Sequence, residues 1–322
     1  MSEREGVPPM GAAHGTDRVS SGSPRADRLR LTGCGTALVT PFRGDGSLDE
    51  SALRSLVDWQ IDEGVHFLVP CGSTGEAATL SMPEHRRVVE ITVEQTAGRV
   101  PVIAGAGSND TARAVALSRE MQLAGATGLL HVTPMYNKPP QRALLAHFRA
   151  VADACDLPIV LYNVPGRTGV NLEARTCLEL AADRRFIAVK EASGDLAQIG
   201  QILRERPADF GVLSGDDGIT FDVMARGGEG LVSVVSNVVP RLAADLCNAC
   251  AAGDLVRARA IESTLVPMIR AAFVESNPIP VKAMLHYMGR MENRLRLPLV
   301  PLDSRFNEVI WSALAATRAL AS

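Results

Sequence analysis

Short apolar segments recur at regular intervals along the first three quarters of the chain. Each segment is continuously hydrophobic rather than alternating, which is typical of parallel strands covered by helices on both faces. The eight segments are TALVT (36–40), HFLVP (66–70), PVIAGAG (101–107), GLLHVTP (128–134), PIVLYNV (158–164), FIAVKEA (186–192), FGVLSGD (210–216) and GLVSVVSN (230–237). The pattern therefore predicts eight buried parallel strands.

The segments between these strands carry apolar residues at helical spacing and have recognisable ends. In SLDESALRSLVDWQIDEG, Ser47 precedes Glu50 by three residues, which predicts a capping box. PEHRRVVEITVEQTAG has Pro83 in its first turn and Gly98 at its end, the usual asymmetry of helix termini. Both segments are predicted to be helices.

Eight strand–helix repeats predict an α/β protein with a (β/α)8 TIM barrel over about residues 33–240. A doubly wound sheet is the alternative. However, no GxGxxG follows the first strand, and the chain has no GxxxxGK[ST]. Segments 254–290 and 303–320 predict further helices outside the barrel.

We therefore expect a single catalytic domain over residues 31–322, whose C-terminal helical part begins at about residue 241. Residues 1–30 are rich in Gly, Ser, Pro, Arg and Asp, and we predict that they form a disordered tail. This tail lacks the apolar core of a secretory signal.

Composition excludes several classes of function. Of 322 residues, 46% are hydrophobic and 21% are charged, which is ordinary for a globular protein with a sizeable core. A net charge of −3 gives no electrostatic basis for binding nucleic acid or an anionic membrane. No apolar run approaches the ~18 residues that a membrane span needs. We expect neither a nucleic-acid partner nor a membrane.

Six cysteines are scattered through apolar segments, unlike the dense pattern of a secreted disulfide scaffold. CNAC, from Cys247 to Cys250, lies in an alanine-rich segment that we interpret as a helix. No second CxxC or His pair completes a zinc site, so helix packing is the favoured interpretation. The cysteine pattern predicts a reducing, cytoplasmic location.

Lysine usage points to one residue. The chain has 33 Lys plus Arg, but only three are lysines: Lys138, Lys190 and Lys282. Lys190 stands at the end of an apolar strand. Arginine stays protonated, whereas a lysine can lose its proton, attack a ketone and form a Schiff base. The alternative is a lysine whose side chain extends from the strand end into solvent.

Reacting groups of a TIM barrel lie at the C-terminal ends of its strands. Alternation along the strand places Phe186, Ala188 and Lys190 on one face, which we predict to be the barrel interior. Tyr162 on the neighbouring strand should then lie near Lys190. A tyrosine hydroxyl there suits a proton relay, although simple packing of an amphipathic ring is the alternative.

The segment CGSTGE (71–76) is a glycine-flanked turn that enters a helix. Its backbone N–H groups and the hydroxyls of Ser73 and Thr74 could bind an anion. The alternative is that this sequence forms only a turn and a helix cap. Beside a Schiff-base lysine, a carboxylate is a better ligand than a phosphate.

Six motifs, in this order and spacing, resemble the dihydrodipicolinate synthase family of the pyruvate-dependent Schiff-base aldolases. The resemblance covers about residues 33–305. It implies a carbon–oxygen lyase that condenses pyruvate with L-aspartate 4-semialdehyde to give 4-hydroxy-tetrahydrodipicolinate, in lysine and diaminopimelate biosynthesis. It also implies that no cofactor and no metal is needed. The motifs are GSTGE, VTPMYNKP, LYNVPGRTG, AVKEASGD, LSGDD and NPIPVK.

The resemblance also implies roles for individual residues. Lys190 would form the imine with pyruvate, and Tyr162 would move protons to and from it. Ser73 would link Tyr162 to Tyr136, which in this family is lent across a dimer interface. The family further suggests a homotetramer built from two tight dimers.

Substrate binding follows from the same resemblance. Thr74 and nearby backbone amides would hold the pyruvate carboxylate, and Arg167 would hold the carboxylate of the semialdehyde. Gly215 and Val232 would form backbone walls of the pocket.

Three other functions stay open. Another Schiff-base aldolase of the superfamily would act on a 2-keto-3-deoxy sugar acid or N-acetylneuraminate. Arg167 favours the synthase, whereas Ser73, a threonine in most synthases, is shared with neuraminate lyases. A barrel that binds keto acids without turnover is a second possibility. A metal-dependent aldolase is disfavoured because the strand ends carry no cluster of His and carboxylate ligands.

Some family members are inhibited by lysine in a cleft at the dimer interface. This chain has Met82, Arg113 and Met135 where those members use His, Glu and Tyr. A cation in place of an acid should weaken binding of an ammonium. We therefore expect weak or absent inhibition by L-lysine. The positions that still match are Ala78, His85 and Asn109.

Overall fold

The computed structural model describes residue 1 and residues 29–321. Eight parallel strands form a barrel, and each overlaps one of the predicted strands, which confirms the predicted (β/α)8 fold. The strands are β1 (Gly33–Ala37), β2 (Phe67–Val69), β3 (Ile103–Gly105), β4 (Gly128–Val132), β5 (Ile159–Asn163), β6 (Phe186–Glu191), β7 (Gly211–Ser214) and β8 (Gly230–Ser233).

The strand order is β2-β1-β8-β7-β6-β5-β4-β3, so β2 and β3 are the two strands that must meet. Two backbone hydrogen bonds join them. Leu68 N donates to Pro101 O at 2.9 Å, and Gly105 N donates to Pro70 O at 2.9 Å. These bonds close the barrel, which leaves no strand edge exposed.

Helices separate the strands and continue beyond β8. As predicted, further helices follow the barrel over the C-terminal part of the chain. The helices are α1 (Glu50–Asp62), α2 (Met82–Thr96), α3 (Thr111–Leu123), α4 (Gln141–Ala152), α5 (Pro165–Thr168), α6 (Ala174–Ala181), α7 (Leu196–Glu205), α8 (Thr220–Ala225), α9 (Pro240–Ala251), α10 (Leu255–Ala272), α11 (Ile279–Tyr287) and α12 (Asn307–Ala321).

The first strand begins three residues earlier than the apolar pattern predicts. A Cβ at Gly35 would lie 2.0 Å from the Phe67 ring, and one at Gly33 would lie 2.5 Å from the His66 ring. Glycine is therefore required where β1 packs against β2. Hydrophobicity alone misses such positions, since glycine contributes no apolar side chain.

The predicted cap of α1 is wrong, whereas the predicted ends of α2 are confirmed. Asp49 caps α1 and accepts from Ala52 N at 3.0 Å, whereas Ser47 lies two residues before this cap and donates its hydroxyl to Asp45. A capping box does form at α2, between Ser81 and Glu84. Pro83 lies in the first turn of α2, which ends at Thr96, just before Gly98.

The barrel interior is filled by one cluster of buried side chains. Ala188 belongs to it as predicted, but Phe186 does not, because the register of β5 with β6 shifts between Ile159 and Val160. The shift lets Ile187 enter the interior and turns Phe186 towards the surrounding helices. The cluster comprises Leu31, Ala37, Phe67, Val69, Ile103, Leu130, Val160, Tyr162, Val164, Ile187, Ala188, Leu213 and Val232.

The remaining sequence predictions have mixed outcomes. CNAC lies in helix α9, where Cys247 is buried in a small cluster with Cys34, so the predicted packing role is confirmed. All six cysteines are free thiols. Among residues 29–321, no helix is both long and apolar enough to span a bilayer. The predicted tail, residues 1–30, lies outside the described residues apart from residues 1, 29 and 30.

Candidate active site

Lys190 and Tyr162 lie side by side at the C-terminal ends of β6 and β5. They face each other in the parallel ladder, and the Lys190 Nζ lies 4.1 Å from the centroid of the Tyr162 ring. Lys190 is only 5% exposed. The predicted proximity is confirmed, and the amine rests on an aromatic face inside the barrel rather than extending into solvent.

Space around the Lys190 side chain depends on Gly215, which follows β7. A Cβ at Gly215 would lie 2.8 Å from the Ala192 Cβ and 3.0 Å from the Lys190 Cγ. Any larger residue would displace the lysine stem. Val232 on β8 is buried in the same interior cluster as Tyr162, so both predicted wall residues belong to this end of the barrel.

The loop after β2 places hydroxyl groups at the same end of the barrel. Thr74 is buried and Ser73 is exposed at the loop surface. The Thr40 hydroxyl, which follows β1, donates to Gly75 O at 2.7 Å and so fixes the loop to the end of the first strand.

Burial raises the pKa of the Cys71 thiol well above its ordinary value, so this cysteine is a neutral thiol and not a nucleophile.

A cavity of 520 Å³ opens beside this loop, and Ser73, Tyr162 and Arg167 line it together. Arg167 lies in the short helix α5 after β5. Its Nη2 donates to Asn277 O at 3.4 Å. Within the part of the chain that the structure describes, Arg167 forms no ion pair. Its guanidinium can therefore bind an anionic ligand in two-pronged fashion.

Tyr136 is the predicted site residue that lies apart from the others. Its side chain is 88% exposed and does not line the cavity, although its backbone N donates to Thr168 O at 3.1 Å. Its φ of 74° is unusual for a non-glycine residue. A single chain therefore does not bring the Tyr136 hydroxyl to Lys190.

Two contributions come from the NPIPVK motif (residues 277–282), for which the sequence predicted no individual residue roles. Asn277 donates from its Nδ2 to the Thr74 Oγ1 at 2.8 Å. Lys282 is fully buried and pairs with Glu76 of the GSTGE segment at 2.5 Å. Lysine is rare in this chain, and this rarity pointed to Lys190. The same argument applies to Lys282, which could therefore have been predicted as a site residue. Asn277 begins the NPIPVK motif, but nothing in that motif predicts its contact with Thr74.

The comparisons with known proteins agree with this architecture. The model of the Dihydrodipicolinate synthetase family matches residues 30–317. A 4-hydroxy-tetrahydrodipicolinate synthase of Koribacter versatilis is 51% identical over 275 residues, which cover 85% of this chain and 92% of that protein.

Two solved structures are also similar. The chloride-inhibited dihydrodipicolinate synthase of Acinetobacter baumannii in complex with pyruvate has a TM-score of 0.88 and 38% identity, covering 90% of this chain and 99% of that one. The lysine-bound enzyme of Cyanidioschyzon merolae has a TM-score of 0.87 and 38% identity, covering 89% and 98%. This chain belongs to the dihydrodipicolinate synthetase family.

Proposed function

We propose that the protein is a lyase that condenses pyruvate with L-aspartate 4-semialdehyde to give 4-hydroxy-tetrahydrodipicolinate. The observation that carries this proposal is the buried Lys190 amine, which lies against Tyr162. The cavity beside it is lined by Tyr162 and by Arg167, which forms no ion pair among residues 29–321. Relatives about half identical to this chain carry the name of this synthase. Family membership alone gives the reaction class. Tyr162 and Arg167, the tyrosine and the arginine near Lys190, fit the proton transfers and the substrate binding that this reaction needs.

The first half of the reaction forms a carbon nucleophile. The Lys190 amine attacks the ketone carbon of pyruvate, and loss of water leaves an imine. The protonated imine accepts the electron pair of a methyl C–H bond when that proton leaves, which gives an enamine. Tyr162, whose ring contacts the amine, would donate and remove these protons.

The second half forms the new carbon–carbon bond. The enamine attacks the aldehyde carbon of the semialdehyde, whose oxygen becomes a hydroxyl. The amino group of the same substrate then attacks the imine carbon and displaces Lys190, so the ring closes and the enzyme is regenerated. Overall, one water molecule is released per turnover.

We assign the two substrate carboxylates to two groups. The Thr74 hydroxyl and the neighbouring backbone amides would bind the pyruvate carboxylate, close to Lys190. Arg167 would bind the carboxylate of the semialdehyde, because its planar guanidinium matches that group and has no competing ion pair among residues 29–321. Gly215 leaves the room that the lysine stem needs, and Val232 would form a backbone wall of the pocket.

We further propose that the working enzyme is at least a dimer, and in full a tetramer of two tight dimers. The support is Tyr136, whose exposed and strained position suits a residue that completes a partner's relay through Ser73. The unpaired cysteines fit a reducing, cytoplasmic location.

Borohydride trapping tests the Schiff base directly. Pyruvate plus sodium borohydride should add the mass of one reduced pyruvyl group to the intact wild-type chain, at Lys190. Lys190→Arg should not be labelled, whereas Lys138→Arg, which changes an exposed lysine, should be labelled like the wild type. Absence of label on the wild-type chain overturns the Schiff-base chemistry.

Substrate profiling tests the second substrate. Product formation from pyruvate should require L-aspartate 4-semialdehyde, and Arg167→Ala should raise the KM for that aldehyde much more than the KM for pyruvate. Cleavage of N-acetylneuraminate or of a 2-keto-3-deoxy sugar acid, without turnover of the semialdehyde, would place the enzyme elsewhere in the superfamily.

A further inference from the structure

Asn277 reaches the candidate site from outside the barrel. It lies in the segment between α10 and α11, yet it lines the cavity together with Ser73 and Arg167. The residue is 6% exposed. A polar side chain buried at this place must act through the groups it touches.

The first of these groups is the Thr74 hydroxyl. Asn277 Nδ2 donates to the Thr74 Oγ1 at 2.8 Å, and this contact occupies one acceptor lone pair of the hydroxyl. An amide NH2 can only donate, so the single proton of Thr74 is left for another acceptor. Among the described residues, Thr74 donates to no protein group. Its proton is therefore not used by any protein acceptor among residues 29–321.

The second group is the guanidinium of Arg167. The backbone carbonyl oxygen of Asn277, and not its side chain, accepts from Arg167 Nη2 at 3.4 Å. This contact uses one of five N–H donors and leaves the others for a ligand. A single residue thus touches both of the groups to which we assign a carboxylate.

The third observation is that the Asn277 side chain is not fully satisfied. Its Oδ1 is buried and has no hydrogen-bond partner in the structure. An unpartnered buried acceptor lowers stability, so a gain in stability does not explain the asparagine. A role in the site does explain why a polar side chain is kept there.

We propose that Asn277 is a positioning residue whose side-chain amide makes Thr74 a hydrogen-bond donor to the keto-acid carboxylate, and whose backbone carbonyl holds Arg167 towards the second carboxylate. This inference rests on the proposed function. It assigns to the segment after α10 a direct influence on how the first substrate binds, although that segment contributes no reacting atom.

Pyruvate titration with borohydride trapping tests the inference. Asn277→Ala should raise the pyruvate concentration for half-maximal trapping roughly 5- to 10-fold, the value of one lost hydrogen bond. Asn277→Asp should raise it further, on the order of 100-fold, because a carboxylate takes the Thr74 proton and repels the keto-acid carboxylate. The melting temperature of Asn277→Ala should stay close to that of the wild type.

Asn293→Ala is the matched control. Asn293 also belongs to the C-terminal part and also has an unpartnered buried oxygen, but it does not line the cavity. This variant should trap pyruvate like the wild type.

A double-mutant cycle tests whether Asn277 acts through Thr74. Thr74→Val removes the hydroxyl, so adding Asn277→Ala to it should cause little further loss in pyruvate binding. Additive losses overturn the inference. Unchanged half-saturation in Asn277→Ala, with or without a lower melting temperature, also overturns it. No adduct in the wild-type enzyme overturns the proposed function as well, so the two failures are distinguishable.

Discussion

Glu76 and Lys282, which are 206 residues apart in sequence, form a fully buried ion pair. Lys282 also donates to Thr40 O at 2.9 Å, and the second carboxylate oxygen of Glu76 accepts from Arg296 N at 3.0 Å. The pair thus joins the end of the first barrel strand, the loop that carries Thr74, and the C-terminal helices. Burial lowers the pKa of Lys282 to about 8, so its ammonium remains charged at neutral pH.

Breaking this ion pair should destabilise the whole domain. Lys282→Met removes the ammonium that pairs with the buried Glu76 carboxylate, and we expect the free energy of unfolding to fall by about 3–5 kcal/mol. Urea unfolding at pH 7 measures the change. Glu76→Gln combined with Lys282→Met should recover part of the loss, and Lys138→Met serves as the exposed-lysine control. A loss below 1 kcal/mol in Lys282→Met, about what exposed pairs contribute, would contradict the importance of the pair.

Complementation between inactive chains should reveal whether Tyr136 is lent to a partner. Lys190→Ala and Tyr136→Phe chains should each be nearly inactive alone. Co-expressed in equal amounts, they should form hybrid dimers in which the intact Lys190 receives the intact Tyr136, which restores about a quarter of the wild-type activity.

Steady-state rates of the purified mixture, with each variant alone as control, measure this effect. No recovery in verified hybrid dimers would show that Tyr136 serves the site of its own chain. That outcome would require a movement of Tyr136 from its exposed position.

L-lysine should inhibit the enzyme weakly or not at all. The structure brings Ala78, His85, Asn109, Arg113 and Met135 together in the lining of the cavity. Burial lowers the pKa of His85, and the positive charge of Arg113 lowers it further. The positive charge of Arg113 in this cavity disfavours binding of the ammonium group of L-lysine.

Initial rates measured over a range of L-lysine concentrations test this prediction. Arg113→Glu should increase the sensitivity, because it returns an acid to the cavity. Strong inhibition of the wild type by sub-millimolar L-lysine would contradict the predicted insensitivity.

Acid should weaken the contact between α2 and the C-terminal segment. Hydrogen bonds from Arg296 lower the pKa of Glu84 from 4.5 to about 2. The folded-state pKa is below the unfolded one, so this carboxylate stabilises the fold fully above pH 4.5 and progressively less as pH falls towards 2. The side chain is 29% exposed, so we expect a contribution of about 1–2 kcal/mol after allowing for solvent screening.

Unfolding of Glu84→Gln at pH 7 and at pH 3 measures this contribution. The variant should be less stable than the wild type at pH 7, and the difference should shrink at pH 3. An equal difference at both values would mean that Glu84 does not titrate as its contacts with Arg296 indicate.

The fold and the reacting pair could be predicted from the sequence, because both depend on local patterns. Continuous apolar runs specify buried parallel strands, and neighbouring strands of such a sheet necessarily bring Tyr162 close to Lys190. Gly35 and the shifted register at Phe186 escaped prediction, since each depends on how one strand fits against the next.

The rest of the site depends on contacts that no local pattern records. Asn277 meets Thr74 across 203 residues of sequence, and only the folded chain shows that they touch. Ser47 is not the cap of α1, because the helix begins at Glu50, two residues later than a cap at Ser47 would require. Tyr136 stays a prediction, as its role requires a second chain.

The scarcity of lysine makes the chain unusually simple to label. Lys190 and Lys282 are buried in the structure, whereas Lys138 is exposed, two residues after Tyr136. Acylating reagents that do not enter the cavity would therefore modify Lys138 and the N-terminal amine. The extent of acetylation at this one position thus becomes an intrinsic reporter of whether the surface around Tyr136 is covered, without any engineered tag.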